Sequence, residues 1–288
     1  MHKLIVLLLV LFAVPIFHLS AQETLTGRVV DESDGTPIPY TTIGISGTDI
    51  GTVSDGNGVF KLVIPETLDR PDATLVFSCV GYTDLDVAIS GLTDSNDQAY
   101  RLSPFVHEMP EVRVSSKPPK EVFYGNRGRA LLTHINYYTS VEEYDDKLGR
   151  ELGKILNVAP DIKLLEFSFY ISSNTLDRIK FRMNLYDLSG EEPEKIRLDK
   201  DVLFDVSKKT GRVKVDLEPY HIYLQGYDKI GVTLQWLDSE HDGSKTQSFA
   251  IPAGPLSFNG TMYRDKSEAT WSFSKSNLSM YVKALRYR

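Results

Sequence analysis

The run from Thr24 to Ile89 leaves few folds open to this chain. It begins Leu25-Thr-Gly-Arg-Val-Val-Asp31 and continues through Gly35-Thr-Pro-Ile-Pro-Tyr40 and Gly51-Thr-Val-Ser-Asp-Gly-Asn-Gly-Val-Phe60. It closes with Leu75-Val-Phe-Ser-Cys-Val-Gly-Tyr82. Apolar and polar residues alternate in short stretches, and clusters of Gly, Pro and Asp/Asn separate them. Period two is the spacing of a half-buried strand, so this is a small all-β unit. The pattern predicts strands at Leu25–Asp31, Thr41–Ser46, Gly51–Ser54, Val59–Ile64, Thr74–Cys79, Thr83–Ile89 and Gln98–Leu102. Asp55-Gly-Asn-Gly58 predicts a hairpin turn, because Gly and Asn accept positive φ at low cost. Pro37 and Pro39 cannot donate to a ladder and mark a loop or strand edge.

What precedes this unit is not part of the fold. Lys3 supplies a positive start, Leu4 to Phe17 an apolar stretch, and Leu19-Ser-Ala21 a small residue for cleavage. The expected reading is a secretory signal peptide over residues 1–21, since the apolar run is shorter than the ~20 residues that span a bilayer. No cysteine follows the cut, so a lipid anchor is not expected. Cys79 is the single cysteine of 288 residues. A secreted chain with one cysteine has no internal disulfide, and stability must come from burial. Cys79 lies inside an apolar run and reads as a buried structural thiol. The net charge of −7 excludes nucleic acid as the expected partner, because phosphate binding needs a basic surface.

The chain divides into residues 22–106, a linker at 107–122, and a second unit at 123–288. Met109-Pro110 and Lys117-Pro-Pro-Lys120 favour extended backbone in the linker, with Glu111–Ser115 as a candidate edge strand. In the second unit the parities are strand-like. Leu165, Phe167, Phe169 and Ile171 share one face. Ile179, Phe181, Met183 and Leu185 share another, opposite Arg178, Lys180, Arg182 and Asn184. Val213, Val215 and Leu217 alternate with charges, Ile230, Val232, Leu234 and Trp236 alternate with Thr233 and Gln235, and Trp271 pairs with Phe273. Glu151–Leu156 reads as a strand after an exposed acidic loop, and Ser279–Tyr287 as a closing strand. Such runs predict a two-sheet sandwich of the jelly-roll type.

Motifs for chemistry are absent from the sequence. No histidine has the His-x-x-Glu spacing of a zinc peptidase. Gly44-Ile-Ser-Gly-Thr48 lacks the last glycine of a nucleophile elbow. Asp238-Ser-Glu-His-Asp-Gly243 fails as a calcium loop, with Phe249 where a bidentate Glu is required. No cofactor or metal is expected. Sequons at Asn259 and Asn277 matter only in a host that glycosylates. What remains is a sugar platform. Tyr170, Arg182, Asn184, Tyr186 and Gln235 fall on the outward parity of three strands, where the rings could stack on sugars and the polar groups bind hydroxyls. The competing reading is a solvated sheet face with ordinary cross-strand pairs.

The pieces Gly27-Arg-Val-Val-Asp31, Pro37-Ile-Pro-Tyr40, Gly51-Thr-Val-Ser-Asp55, Gly58-Val-Phe60 and Val80-Gly-Tyr82 carry a resemblance. Residues 24–90 resemble the carboxypeptidase regulatory-like domain, a transthyretin-like sandwich found at the N-termini of TonB-dependent outer-membrane receptors. The chain then departs from those receptors, with too few residues for plug and barrel. The resemblance implies an extracytoplasmic location (periplasm, outer-membrane surface or secreted) and a binding or scaffolding role. It implies an envelope protein or polysaccharide as partner, with peripheral outer-membrane association, and carries over no catalytic residue. The expected function is therefore non-enzymatic. The alternative is a hydrolase or hydrolase accessory with an unrecognised site in 123–288.

Overall fold

A computed structural model describes residues 22–65, 68, 72–92, 98–105, 118–130, 133–140, 148–196, 198–241, 247–255 and 260–287. The expected signal peptide, most of the linker with its candidate strand, and the Asn259 sequon lie outside them. Among the described residues the regular elements are strands, apart from single 3₁₀ turns at Ile89–Gly91 and Glu218–Tyr220.

All seven strands expected in the first unit form, with only their ends moved. Gln22–Asp31 lies between Val59–Pro65, antiparallel, and Gln98–Leu102, parallel. A second sheet runs Gly51–Val53, Thr42–Ile45, Thr74–Ser78, Leu85–Ala88. Val29, Phe60, Leu62, Ile43, Leu75 and Phe77 fill the space between the sheets. Phe77 stacks on Tyr100 at 4.4 Å. Cys79 is buried here as expected. The turn at Asp55–Gly58 differs from expectation. It joins Gly51–Val53 of one sheet to Val59–Pro65 of the other, so it is a corner between layers and not a hairpin. Its chemistry is the anticipated kind: Asp55 Oδ1 accepts from the amides of Asn57 and Val59, both at 2.8 Å, and Gly58 has φ +74°.

The second unit is a larger sandwich. One sheet runs Glu194–Lys195, Arg178–Asp187, Lys229–Glu240, Glu151–Asn157, Thr261–Arg264, Ser272–Ser274, with Leu203–Val206 also on Arg178–Asp187. The opposing layer contains Gly211–Asp216, Asp161–Ile171, Met280–Arg286 and Lys120–Gly125, with Gln247–Gly254 and Thr133–Ser140 beside them. One core cluster draws on both layers. At its centre Phe181 sits 5.4 Å from both Trp236 and Phe249, ring to ring. Lys120–Gly125 begins inside the expected 107–122 linker and pairs with Met280–Arg286, so the second unit starts earlier than its sequence advertises.

Two parities and one exposure need correction. A bulge between Leu164 and Glu166 shifts the register, and Leu164 takes the core position expected for Leu165. Phe273, expected to point inward with Trp271, is 55% exposed on the sheet's last strand. Most important, Thr233 and Gln235 are fully buried although they face away from the core of their own sandwich. The first unit covers that face.

Candidate functional site

Polar residues on the covered face line up across four strands. Arg182 lies opposite Gln235, Gln235 opposite Glu151, and Glu151 opposite Arg264. Asn184 and Tyr186 follow Arg182 on the same parity. Burial without partners would cost several kcal/mol per charge, so the row is stable only because it is saturated. The Glu151 carboxylate accepts from Thr233 Oγ1 (2.6 Å), Tyr186 Oη (3.0 Å), Asn184 Nδ2 (3.1 Å) and Arg264 Nη2 (2.5 Å). Arg264 in turn lies over the Trp271 ring at 4.7 Å. Arg182 donates to Asp201 through Nε (2.7 Å) and Nη2 (2.6 Å), and to Gln235 Oε1 (3.1 Å).

The row also reaches into the first unit. Arg182 Nη2 donates to the Tyr40 carbonyl at 2.9 Å, and Gln235 Nε2 donates to Thr42 Oγ1 at 3.2 Å. A second junction lies nearby, where Ser267 Oγ donates to the Thr52 carbonyl and the Gly47 amide to the Glu268 carbonyl, both at 3.0 Å. Gly44 and Gly51 admit this contact, since a β-carbon on either would collide with the Ser267 carbonyl oxygen.

Electrostatics follow from the burial. Desolvation alone would raise the Glu151 carboxyl, but the Arg264 and Lys195 charges and the Thr233 hydroxyl hold it below the usual carboxylate range. Burial and the Glu151 charge push the Tyr186 phenol well up. Burial opposes the Arg182 charge, and the Asp201 carboxylate outweighs it, so the guanidinium stays ionised. Burial also raises the Cys79 thiol.

Beside this layer a cleft of about 520 Å³ opens between the units. Cys79, Tyr82 and Phe105 line it from the first unit, and Asn184, Lys195 and Tyr220 from the second. His221, also on its wall, has φ +49°. Among the described residues the other non-glycine positions with positive φ are Tyr40 (55°) and Glu268 (62°), whose carbonyls cross the junction. Left-handed backbone costs a non-glycine residue of order 1–3 kcal/mol and persists where surroundings impose it. Here all three such positions lie where the units meet. Among the described residues no group of His, Cys, Asp or Glu gathers as metal ligands would.

Residues 25–114 match the CarboxypepD_reg-like domain family, in agreement with the seven-stranded sandwich. The first unit is a CarboxypepD_reg-like domain. No curated protein matches the chain. Among solved structures, the cysteine protease and lectin-like domains of Cwp84, a surface-layer-associated protein of Clostridium difficile, align over 93% of this chain with 8% identity and a TM-score of 0.38. The chain spans 59% of that protein's length. The clostridial Cwp84 protease after propeptide cleavage gives 8% identity and 0.37 over 93% of this chain and 71% of that one. BcpA, the major pilin subunit of Bacillus cereus, gives 10% and 0.19, covering 90% and 69%. Scores this low do not establish a common fold.

The CarboxypepD_reg-like domain changes the fate of the expected sugar platform. Arg182, Asn184, Tyr186 and Gln235 do converge on one face, but they are 1%, 3%, 2% and 0% exposed: Arg182 and Gln235 bond that domain, and the Tyr186 ring lies against Trp271 at 4.9 Å. The Tyr186 ring, the Arg182 guanidinium, the Gln235 amide and the Asn184 amide hydrogens are committed to the polar layer, so no open platform exists there. Tyr170 does not join them. Its strand, Asp161–Ile171, belongs to the opposing layer, where the ring packs under the Arg212 guanidinium at 4.3 Å. Parity tells which side of a strand a residue takes, and is silent on what covers that side. Only Asn184 of the five reaches the cleft. Glu151, Arg264, Asp201 and Lys195 were missed, because charged residues on outward parity look the same whether solvent or another domain faces them.

Proposed function

We propose that this protein is a non-enzymatic, extracytoplasmic binding protein whose ligand site is the cleft between the CarboxypepD_reg-like domain and the second sandwich. The carrying observation is the cleft wall itself. Tyr82, Phe105 and Tyr220 offer flat apolar surface, and Asn184 adds a polar group. A few polar groups set among aromatic rings is the make-up of a ligand pocket, and rings that can stack on apolar sugar faces make a saccharide the fitting ligand class. The non-enzymatic reading rests on Glu151. As the most buried carboxylate near the cleft, it is saturated by four side chains and has no free oxygen for acid–base work. The extracytoplasmic address rests on the sequence at Lys3–Ala21. An envelope polysaccharide, or a partner at the outer membrane, fits that address.

Calorimetry of the chain from Gln22 onward with a panel of envelope and dietary polysaccharides tests this reading. Saturable binding without release of reducing sugar is expected, weakened severalfold in Phe105→Ala, whose ring is 42% exposed. Absence of binding across the panel, or turnover, overturns it.

A further inference from the structure

The charges in the covered layer pair off with one exception. Arg182 holds Asp201 and Arg264 holds Glu151. Lys195 sits on the short strand opposite Tyr186, on the same sheet face, and lines the cleft. Among the described residues it has neither an ion pair nor a hydrogen bond. Burial, and then the Arg182 charge, outweigh the support of the more distant Glu151 and Asp201 carboxylates and lower its pKa. A half-buried cation with no carboxylate in direct contact costs folding free energy, and a bound anion would offset that cost.

Resting on the proposed function above, we infer that the cleft selects an acidic saccharide, with a uronate carboxylate seated on Lys195. The rim narrows the choice of anion. Asp84, Glu194 and Asp199 line the same cleft and are all exposed, against the one exposed cation Lys200 on its rim. Three carboxylates would repel a multiply charged phosphate or nucleotide. Against a single carboxylate the repulsion is about half that on a doubly charged phosphate, since Coulomb energy scales with the product of the charges. They also serve as acceptors for the hydroxyls a sugar carries and most other carboxylates lack. Asn184 adds an acceptor: its amide hydrogens go to Glu151 and Gln235, and no donor among the described residues meets its oxygen.

The test compares an oligogalacturonate with a neutral galactose oligomer of equal length, by calorimetry at two salt concentrations. The wild type should bind the uronate at least tenfold more tightly, with the difference shrinking in high salt. Lys195→Met should bind both alike, and Lys195→Arg should keep most of the preference. The Lys195→Met protein should melt no lower than wild type, because it loses an unpaired charge. If it does not fold, Lys195→Gln takes its place. Equal binding of both oligomers by wild type overturns this inference and leaves the proposed function standing. So does a preference that survives in Lys195→Met or Lys195→Gln. Binding of neither oligomer, nor of anything in the wider panel, removes the proposed function as well.

Discussion

Arg182 of the second sandwich donates to the main-chain carbonyl of Tyr40 in the CarboxypepD_reg-like domain, 142 residues away, at 2.9 Å. The guanidinium also carries Asp201 and Gln235, so it is the hub through which the two units share one polar layer. Removing it strands the Asp201 charge and the Tyr40 carbonyl. Arg182→Ala should destabilise the protein by about 3–5 kcal/mol, as for one partner of a buried ion pair. An ordinary surface change costs about 0.5 kcal/mol or less. Urea unfolding distinguishes the two, and a loss under about 1 kcal/mol would place Arg182 outside the structural framework.

Gly44 tests the second junction by sterics alone. A β-carbon there would overlap the Ser267 carbonyl oxygen. Gly44→Ala should lower stability by about 1–3 kcal/mol, the range for overpacking. Gly190→Ala is the control, since its nearest neighbour would be the Glu192 carbonyl oxygen at 3.7 Å. Equal melting temperatures for the two variants would show that the units yield at this contact.

Phe181 measures the core of the second sandwich. It is fully buried and touches the rings of Trp236, Phe249 and Tyr137. Phe181→Ala should cost about 3–5 kcal/mol. A double variant with Arg182→Ala should fall short of, or exceed, the sum of the singles, because the residues are adjacent on one strand and non-additivity is expected at that range. Strict additivity would mean that the two sheet faces respond independently.

Lys154 gives a pH dependence. Its side chain is 3% exposed, donates to Asn277 Oδ1, and is pushed down by burial to about 8 from 10.5. The unfolded chain therefore binds more protons than the folded one between about pH 8 and 10.5, and stability contributed by this group rises with pH across that window. The cost is fully present below pH 8, on the order of 3 kcal/mol. Lys154→Met should be more stable than wild type at pH 7 and should lack the rise. Parallel stability curves for both proteins from pH 7 to 10.5 would refute the assignment.

The sandwich architecture was legible in the sequence because each sheet buries one face against its partner, and alternation records that directly. Ile179, Phe181, Met183 and Leu185 all land in the core as their spacing requires. The shift from Leu165 to Leu164 was not legible, since a bulge adds a residue without changing composition. The corner at Asp55–Gly58 was half legible: local chemistry marks a turn, while the choice of sheet for the next strand depends on contacts far along the chain. The covered face was illegible for a different reason. Arg182, Asn184, Tyr186 and Gln235 make a polar stripe that solvent and a polar partner surface favour equally. What distinguishes the two cases is Tyr40 and Thr42, whose role appears only once both units are folded.

The Arg182–Gln235–Glu151–Arg264 row bears on how such a gene can change. Carboxypeptidase regulatory-like domains read as portable cassettes, yet here the cassette supplies a carbonyl and a hydroxyl to its neighbour's buried charges. Recombination that exchanged it for an unrelated sandwich would leave the guanidinium unmet. Its two halves are therefore expected to be inherited together, with drift at Tyr40, Thr42, Arg182 and Asp201 constrained jointly across the boundary.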